Sequence, residues 1–302
     1  MQVVNTIKQL RTLRATLAKN NKSVGLVPTM GYLHQGHLSL VREAKRKTDA
    51  VGVTIFVNPL QFGPTEDFTT YPRAMERDLD MLRSENVDFV FCPTPEEMYP
   101  TSETQQEAKR HLMLHTESRT WVQVEGMDEL TREGSSRKGH FRGVATVVTK
   151  LFNIVQPDKA FFGQKDGMQC IVIKKMVNDL NVPVEIDICD TMREEDGLAM
   201  SSRNVYLNPQ QRAIAPTLYR ALQCAARSVH EGERRVSEIV RAAEEEIRRC
   251  EGLVLDYIVV SDMNAGVDLD RESRVEDNTH LMISGAMWNG KTRLIDNIVL
   301  QL

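Results

Sequence analysis

Short apolar runs alternate with segments of helical periodicity through the first two thirds of the chain. The runs predict buried strands, and the periodic segments predict helices between them. In chain order the predicted elements are a strand at 23–27, a helix at 37–47, a strand at 50–57, a helix at 73–86, a strand at 88–91, a helix at 141–155, a strand at 159–162, a helix at 166–180 and a strand at 184–189. Because parallel strands need crossover helices, this alternation predicts an α/β fold with a doubly wound parallel sheet.

The pattern changes after about residue 190. Two helical stretches, at 210–231 and 234–249, precede strand-like runs at 254–261, 281–288 and 292–298. This order is typical of a smaller α+β unit. We therefore expect two domains, residues 1–189 and 190–302, and ligands at the carboxyl ends of the strands of the larger domain's sheet.

The N-terminal segment allows two interpretations. Its first acidic residue is Glu43, and the basic, acid-poor stretch before it resembles an organellar transit peptide. It lacks the usual serine richness, however, and Asn5 can cap a helix whose Ile7, Leu10 and Leu17 share one face.

A long polar stretch, residues 101–139, interrupts the first domain and is interpreted as a surface excursion. His111 and His115 lie there at helical i, i+4 spacing. Without a third nearby ligand, such a pair is more typical of a solvated helix face than of a metal site.

Composition excludes several classes of protein. The 38 Lys and Arg residues against 42 Asp and Glu residues give a net charge of −4, which does not favour nucleic acid as a partner. With 41% hydrophobic and 26% charged residues the chain has ordinary globular usage. Its 5 cysteines include no C-x-x-C pair, which indicates a reducing, cytoplasmic compartment. No apolar run is long enough for a membrane-spanning helix, so no membrane partner is expected.

Candidate chemistry begins where the first predicted strand ends. The segment Pro28-Thr29-Met30-Gly31-Tyr32-Leu33-His34-Gln35-Gly36-His37 leads directly into a helix. Imidazoles at a helix N-terminus can donate hydrogen bonds to phosphate oxygens, and the helix dipole favours anions there. The alternative is a loop with two incidental histidines, and no Cys, Asp or Glu lies at a spacing that supports a metal site.

Two later segments have similar features. Gly163-Gln164-Lys165-Asp166 follows a predicted strand and precedes a helix, so Lys165 can meet a phosphate as a compact positive charge. Met200-Ser201-Ser202-Arg203-Asn204 offers hydroxyl donors and a guanidinium that suit a departing pyrophosphate. Taken alone, the first segment is commonly just surface charge. The alternative interpretation of the second segment is a helix cap or a turn.

In combination, H-x-G-H after the first strand and Ser-Ser-Arg after the last strand are the layout of adenylyl-transferring enzymes. More specific segments are VPTMGYLHQGH, IFVNPLQF, HFRGVATVVTKLFNIVQPD, FFGQKD and DGLAMSSRN, and the match runs from Val27 to RLIDN at 293–297. On these segments the chain resembles the pantothenate synthetase (pantoate:β-alanine ligase) family. The resemblance implies a Rossmann-like fold of the H-x-G-H nucleotidyltransferase type. It also implies ATP-dependent formation of pantothenate through pantoyl adenylate, with Mg²⁺ accompanying ATP, in a homodimer.

The resemblance also implies roles for particular residues. The implied ATP-binding residues are Pro28, Thr29, Met30, Gly31, Tyr32, Leu33, His34, Gln35, Gly36, His37, Gly163, Gln164, Lys165, Asp166, Met192, Met200, Ser201, Ser202 and Arg203. Among these the implied catalytic residues are His37, His34, Lys165, Ser201, Ser202 and Arg203. Asn58, Gln61 and Gln169 are the implied substrate-binding residues, with pantoate on the two glutamines. His140 and Arg142 either support the pocket or simply pack.

The chain departs from the family pattern at two places. Gln164 stands where the family usually has Glu, and Gly167-Met168 replaces a frequent aromatic-Gln pair. The length of the 101–139 stretch suggests a eukaryotic, fungal-like version. The competing interpretations are another H-x-G-H nucleotidylyltransferase and a nucleotide-binding regulatory protein that has lost turnover.

Overall fold

The computed structural model describes residues 1–64, 66–100 and 120–302. These residues form two compact units. The first comprises 1–125, 137–162 and 172–189, and the second comprises 126–136, 163–171 and 190–302. The division into domains at residues 189 and 190 stays a prediction, and each unit is described below by itself.

A six-stranded sheet forms the centre of the first unit. Its strands are β1 (Gln2–Val4), β2 (Val24–Thr29), β3 (Ala50–Ile55), β4 (Phe89–Phe91), β5 (Lys159–Gly163) and β6 (Glu185–Cys189). They lie in the order β1-β4-β3-β2-β5-β6, and the pairs β1-β4, β4-β3, β3-β2 and β2-β5 are parallel. The direction of winding therefore reverses between β2 and β5, which is where such sheets bind ligands.

Crossover helices connect these strands. The helices up to β6 are α1 (Ile7–Lys19), α2 (Gln35–Lys47), α3 (Met75–Ser84), α4 (Pro95–Met98), α5 (Met127–Leu130), α6 (Arg132–Ser136), α7 (His140–Val155) and α8 (Gly167–Asp179). The apolar face of α2, which includes Leu38 and Val41, packs against β2 and β3 side chains such as Val27 and Val53. This burial stabilises the sheet and fixes the loop that joins β2 to α2.

The second unit has its own core and an antiparallel sheet. Its further helices are α9 (Pro209–Ile214), α10 (Thr217–His230) and α11 (Val236–Arg248), and its strands are β7 (Leu253–Asp262), β8 (Val267–Asp268), β9 (His280–Asn289) and β10 (Thr292–Gln301). The strand order is β10-β9-β7-β8. Leu222, Ile239 and Ile283 are all fully buried in the core between these helices and the sheet. The predicted fold class is confirmed, a doubly wound parallel sheet with a smaller α+β unit.

Two local predictions are wrong, and one strand has no counterpart among the predicted elements. The helix predicted over 210–231 is two helices, α9 and α10, because Pro216 cannot donate to the helical hydrogen-bond ladder. The cap of α1 is Thr6 rather than Asn5, because Thr6 and Gln9 form a reciprocal capping box. Strand β1, which precedes that helix, is too short to show a periodic pattern in the sequence. It is defined by its parallel pairing with β4.

The interpretation of 101–139 as a surface excursion is wrong for its last part. Met127 and Thr131 are only 3% and 2% exposed, and the main-chain N–H of Arg132 donates to Asp268 of the same unit. The short helices α5 and α6 are therefore packed structure. His111 and His115 lie outside the described residues.

Candidate active site

The loop after β2 has an unusual backbone. Gly31 and Tyr32 both have positive φ angles, 85° and 50°. A non-glycine residue in that region costs about 1–3 kcal/mol, so surrounding contacts must hold Tyr32 there. At Gly31 a Cβ atom would lie 3.0 Å from Ile55 Cγ2 and 3.1 Å from an oxygen of Asp78, so this position requires glycine.

Asp78 of α3 holds this loop, although none of the candidate motifs includes it. Its two carboxylate oxygens accept from the main-chain N–H groups of Tyr32 and Leu33, at 2.7 and 2.8 Å. The side chain is 1% exposed, and burial raises the pKa of the carboxyl although both hydrogen bonds lower it. The available signal was an acidic residue four positions before the buried Leu82, on the helix face that packs inward.

His34 and His37 cap the N-terminus of α2 reciprocally. Nδ1 of His34 accepts from the main-chain N–H of Gly36 at 3.2 Å, and Nδ1 of His37 accepts from the N–H of His34 at 3.3 Å. Their ring centroids are 4.0 Å apart. A nitrogen that accepts a hydrogen bond carries no proton, so each neutral ring carries its proton on Nε2. The fold thereby sets both imidazoles as Nε2–H donors.

The N-terminus of α2 favours an anion. Its first turn contains no acidic residue, and its last turn contains Lys45, Arg46 and Lys47. Both features suit the helix dipole, whose positive end lies beside His34 and His37. A phosphate could therefore accept from helix N–H groups and from imidazole at the same place.

Gln61 is the last residue of a short 3₁₀ helix, Pro59–Gln61, and its side chain makes two contacts. Its Oε1 accepts from Asn58 at 3.1 Å, and its Nε2 lies 3.3 Å from the sulfur of Met30. Asn58 is 1% exposed and also bonds to the carbonyl of Gly143 and the hydroxyl of Tyr99. The structure thus places the buried Asn58 against the side chain of Gln61, and it places Gln61 against Met30 of the loop after β2.

His140 fixes the main chain of Gln61. Its Nδ1 lies 2.7 Å from the carbonyl oxygen of Gln61, and its Nε2 lies 2.9 Å from a guanidinium nitrogen of Arg137. A carbonyl requires a donor and a guanidinium requires an acceptor, so His140 is neutral with its proton on Nδ1. Arg137 forms a two-pronged pair with Glu66, while Arg142 stacks on Trp121 with 4.3 Å to the ring centroid.

Replacing Gly143 with alanine is expected to displace Gln61. A Cβ atom there would lie 2.1 Å from the carbonyl oxygen of Leu60 and 2.7 Å from the N–H nitrogen of Gln61, so the main chain must move. Overpacking of this kind costs about 1–3 kcal/mol. The melting temperature should therefore fall. Gly163 has no atom within 4 Å of such a Cβ, so Gly163→Ala is the steric control for thermal unfolding. An unchanged melting temperature for Gly143→Ala would contradict the expected overpacking.

In the second unit, Asn297 of β10 fixes the segment that carries Lys165. Its Nδ2 donates to the carbonyl oxygens of Gln164 and Lys165, at 2.8 and 3.0 Å. Its Oδ1 accepts from the side-chain amide of Gln164 at 3.0 Å. Because an amide both donates and accepts, Gln164 fits this pairing without a charge. Lys165 is half-buried, with Nζ 3.9 Å from a carboxylate oxygen of Asp166.

The neighbouring residue, Asp296, fixes the turn before the Ser-Ser-Arg segment. Its carboxylate pairs with Arg193 through two hydrogen bonds, at 2.6 and 3.0 Å, and the guanidinium lies 3.6 Å from the ring centroid of Tyr219. Arg193 forms an antiparallel bridge with Ala199, and the N–H of Met200 donates to the carbonyl of Met192 at 2.9 Å. Asp296 and Asn297 therefore organise both segments of this unit. The signal in the sequence was two polar residues inside an apolar strand.

The Ser-Ser-Arg segment itself forms the start of a 3₁₀ helix, Ser202–Tyr206. Ser201 is its cap and accepts from the N–H of Arg203 at 3.3 Å. Gln169 lies in the first turn of α8 and is half-buried. Within the second unit the structure therefore orders both predicted segments and connects each to β10.

Comparison with known proteins decides the family. A family model described as pantoate-beta-alanine ligase matches residues 2–299. The chain belongs to the pantoate–β-alanine ligase family. A pantothenate synthetase of Moorella thermoacetica is 48% identical over 302 residues, which are 100% of this chain and 99% of that protein.

Solved structures of the pantoate–β-alanine ligase family agree. The pantothenate synthetase of Thermus thermophilus is 44% identical with a TM-score of 0.85, and the match covers 99% of both chains. The pantoate-beta-alanine ligase of Francisella tularensis, solved with beta-gamma ATP and beta-alanine, is 32% identical with a TM-score of 0.74. That match covers 99% of this chain and 97% of the other.

These relatives correct one expectation. They are bacterial and match the full length of this chain, so the 101–139 stretch gives no support for a eukaryotic or fungal version of the ligase. No helix within the described residues is long and apolar enough to cross a membrane.

Proposed function

We propose that the protein joins pantoate to β-alanine in two ATP-dependent steps. In the first, a pantoate carboxylate oxygen attacks the α-phosphorus of ATP, and pyrophosphate leaves to give pantoyl adenylate. In the second, the amine of β-alanine attacks the acyl carbon, AMP leaves, and the amine loses a proton as the amide forms. Family membership supports this assignment, as does the Francisella ligase, whose structure was solved with beta-gamma ATP and beta-alanine.

The reciprocal cap of His34 and His37 is the observation that carries the proposal. Both Nδ1 atoms accept main-chain N–H groups, which leaves Nε2–H donors at the positive end of α2. We assign these donors to the phosphate oxygens of ATP, with His37 as the principal catalytic residue. Donors that are already oriented stabilise charge that develops as the bond to pyrophosphate breaks.

Pantoate is assigned to Gln61 and Gln169. An amide can donate to a carboxylate and accept from a hydroxyl, which are the two polar functions of this substrate. For Gln61 the assignment is supported by the contacts beneath it, since Asn58 holds the amide oxygen and His140 holds the main chain. We assign Asn58 to positioning Gln61, because its own polar atoms bond within the protein and it is 1% exposed.

The second unit is assigned to the remaining contacts with ATP. Lys165 supplies a compact positive charge to the phosphates, and Asp166 accepts from the ribose. The departing pyrophosphate is assigned to hydrogen bonds from the hydroxyls of Ser201 and Ser202 and from the guanidinium of Arg203. Asn297 supports this assignment because it binds the main chain at Gln164 and Lys165, and Asp296 supports it because it pairs with Arg193 in the turn before Ser201.

Mg²⁺ is assigned to the phosphates of ATP rather than to a protein-held site. Within the described ranges, no three His, Cys, Asp or Glu side chains are grouped as metal ligands. Mg²⁺ commonly binds through substrate phosphates and retains several waters.

Pyrophosphate exchange tests the two-step chemistry. Given ATP, Mg²⁺, labelled pyrophosphate and pantoate without β-alanine, the protein is expected to incorporate label into ATP. Adenylate formation is reversible in the absence of the second substrate, so exchange must depend on pantoate. Adding β-alanine should then release AMP in proportion to amide formed.

The alternatives give different results. AMP release that requires all three substrates, without pantoate-dependent exchange, would indicate a concerted ligation. Exchange supported by a phosphate ester instead of pantoate would indicate a different nucleotidylyltransferase. Binding of ATP with neither reaction would indicate a protein that has lost turnover.

Two further properties are proposed from the resemblance and from cysteine usage, namely that the enzyme is a homodimer and that it is cytoplasmic. Light scattering of the purified protein at several concentrations tests the first of these.

A further inference from the structure

Asp78 binds main chain that leads directly to the histidines. It accepts from the N–H groups of Tyr32 and Leu33, at 2.7 and 2.8 Å, two and one residues before His34. Both N–H groups belong to the loop whose positive φ angles at Gly31 and Tyr32 need external support. The carboxylate therefore determines the path of the chain into α2.

Arg77 contacts the same loop through different groups. Its guanidinium donates to the carbonyl oxygen of Leu33 at 3.1 Å and lies 5.0 Å from the ring centroid of Tyr32. Consecutive residues of α3 thus bind the N–H and the C=O of Leu33. Arg77 is exposed and Asp78 is buried, so the two contacts can be removed separately.

The charge of Asp78 is not explained by stability. Burial raises the pKa of this carboxyl, which means that the folded protein disfavours the ionised form relative to the unfolded chain. The useful property of the carboxylate is that each of its two oxygens accepts one of two adjacent N–H groups, whereas an amide of the same size has an acceptor at only one of those two positions.

We infer that Asp78 is a positioning residue for adenylation, which holds the loop 31–33 so that His34 and His37 face the nucleotide phosphates. The inference rests on the proposed function. It assigns to α3 a part in ATP use, although the two histidines lie on a different element. Arg77 assists from the carbonyl side of the same loop.

The variant Asp78→Asn tests this role. Its amide keeps one acceptor and turns a donor toward the other N–H group, so the loop loses one hydrogen bond and gains a repulsive contact. We expect kcat/KM for ATP in pantoate-dependent pyrophosphate exchange to fall roughly tenfold, about 1.4 kcal/mol, with a higher KM for ATP. The KM for β-alanine should change little, whereas the melting temperature should fall because a buried main-chain N–H loses its acceptor.

Asp80→Asn is the matched control. Asp80 lies on the same helix, its side chain is 74% exposed, and it pairs with Arg83. This variant removes the same charge without touching the loop, so its KM for ATP should equal that of the unmodified protein.

The KM for ATP separates positioning from structure, because KM does not depend on how much of the protein is folded. An unchanged KM for ATP in soluble Asp78→Asn, with the unmodified protein active, would overturn the inference. If that variant does not fold, Arg77→Ala decides in its place, and a raised KM for ATP supports the inference whereas an unchanged one overturns it. Absence of exchange in the unmodified protein would instead count against the proposed function.

Discussion

Replacing His37 with alanine is expected to remove most of the adenylation activity. The substitution deletes the Nε2–H donor that we assign to the developing charge, on a ring that the His34 N–H orients through Nδ1. Loss of one such donor costs about 10²–10³ in rate, about 3–4 kcal/mol, in comparable sites. Pantoate-dependent pyrophosphate exchange at saturating ATP measures the effect directly.

His37 also caps α2, so the chemical and structural roles must be separated. Alanine removes the acceptor for the N–H of His34, which should cost about 0.5–2 kcal/mol of stability. In His37→Asn the amide oxygen can replace that acceptor, so the melting temperature should recover while the exchange rate stays low. Arg46→Ala, at an exposed position of the same helix, should leave exchange unchanged. Full recovery of exchange in His37→Asn would contradict the role assigned to the imidazole, because this variant keeps the cap without the ring.

The larger features of the fold could be predicted because they depend on local periodicity. Buried parallel strands are apolar runs, and crossover helices carry apolar positions every three or four residues. The strand at Ala50–Ile55 and the helix at His140–Val155 were thus evident in the sequence within about two residues. Candidate phosphate contacts followed from helices that begin directly after strands.

The contacts that hold the site residues in place could not be predicted, because they join positions that are far apart in the sequence. Asp78 meets Leu33 across 45 residues, and Asn297 meets Gln164 across 133. No periodic pattern encodes such pairs. The tautomers of His34 and His140 likewise depend on which backbone groups form hydrogen bonds with their rings. A sequence motif does not contain this information.

Replacing Arg203 with alanine is expected to lower the rate of adenylation more than the affinity for ATP. The residue lies in the first turn of a 3₁₀ helix capped by Ser201, after a turn that the Arg193–Asp296 pair holds in place. If the guanidinium meets charge that grows as pyrophosphate departs, it contributes more to the transition state than to bound ATP. Arg203→Ala should therefore lower pyrophosphate exchange by about 10²-fold, near the range for one oriented donor, while the Kd for ATP changes by less than about threefold, under 1 kcal/mol.

The comparison needs both measurements on the same protein preparations. Calorimetric titration with ATP in the absence of pantoate gives the Kd, and exchange at saturating ATP gives the rate. Arg203→Lys keeps the positive charge but loses the planar fork, so its rate should lie between those of alanine and arginine. Arg220→Ala, at an exposed position of α10, is the control and should change neither quantity. A Kd for ATP that rises while exchange at saturating ATP stays unchanged would show that Arg203 binds ground state and transition state equally, because loss of uniform binding leaves the saturated rate intact.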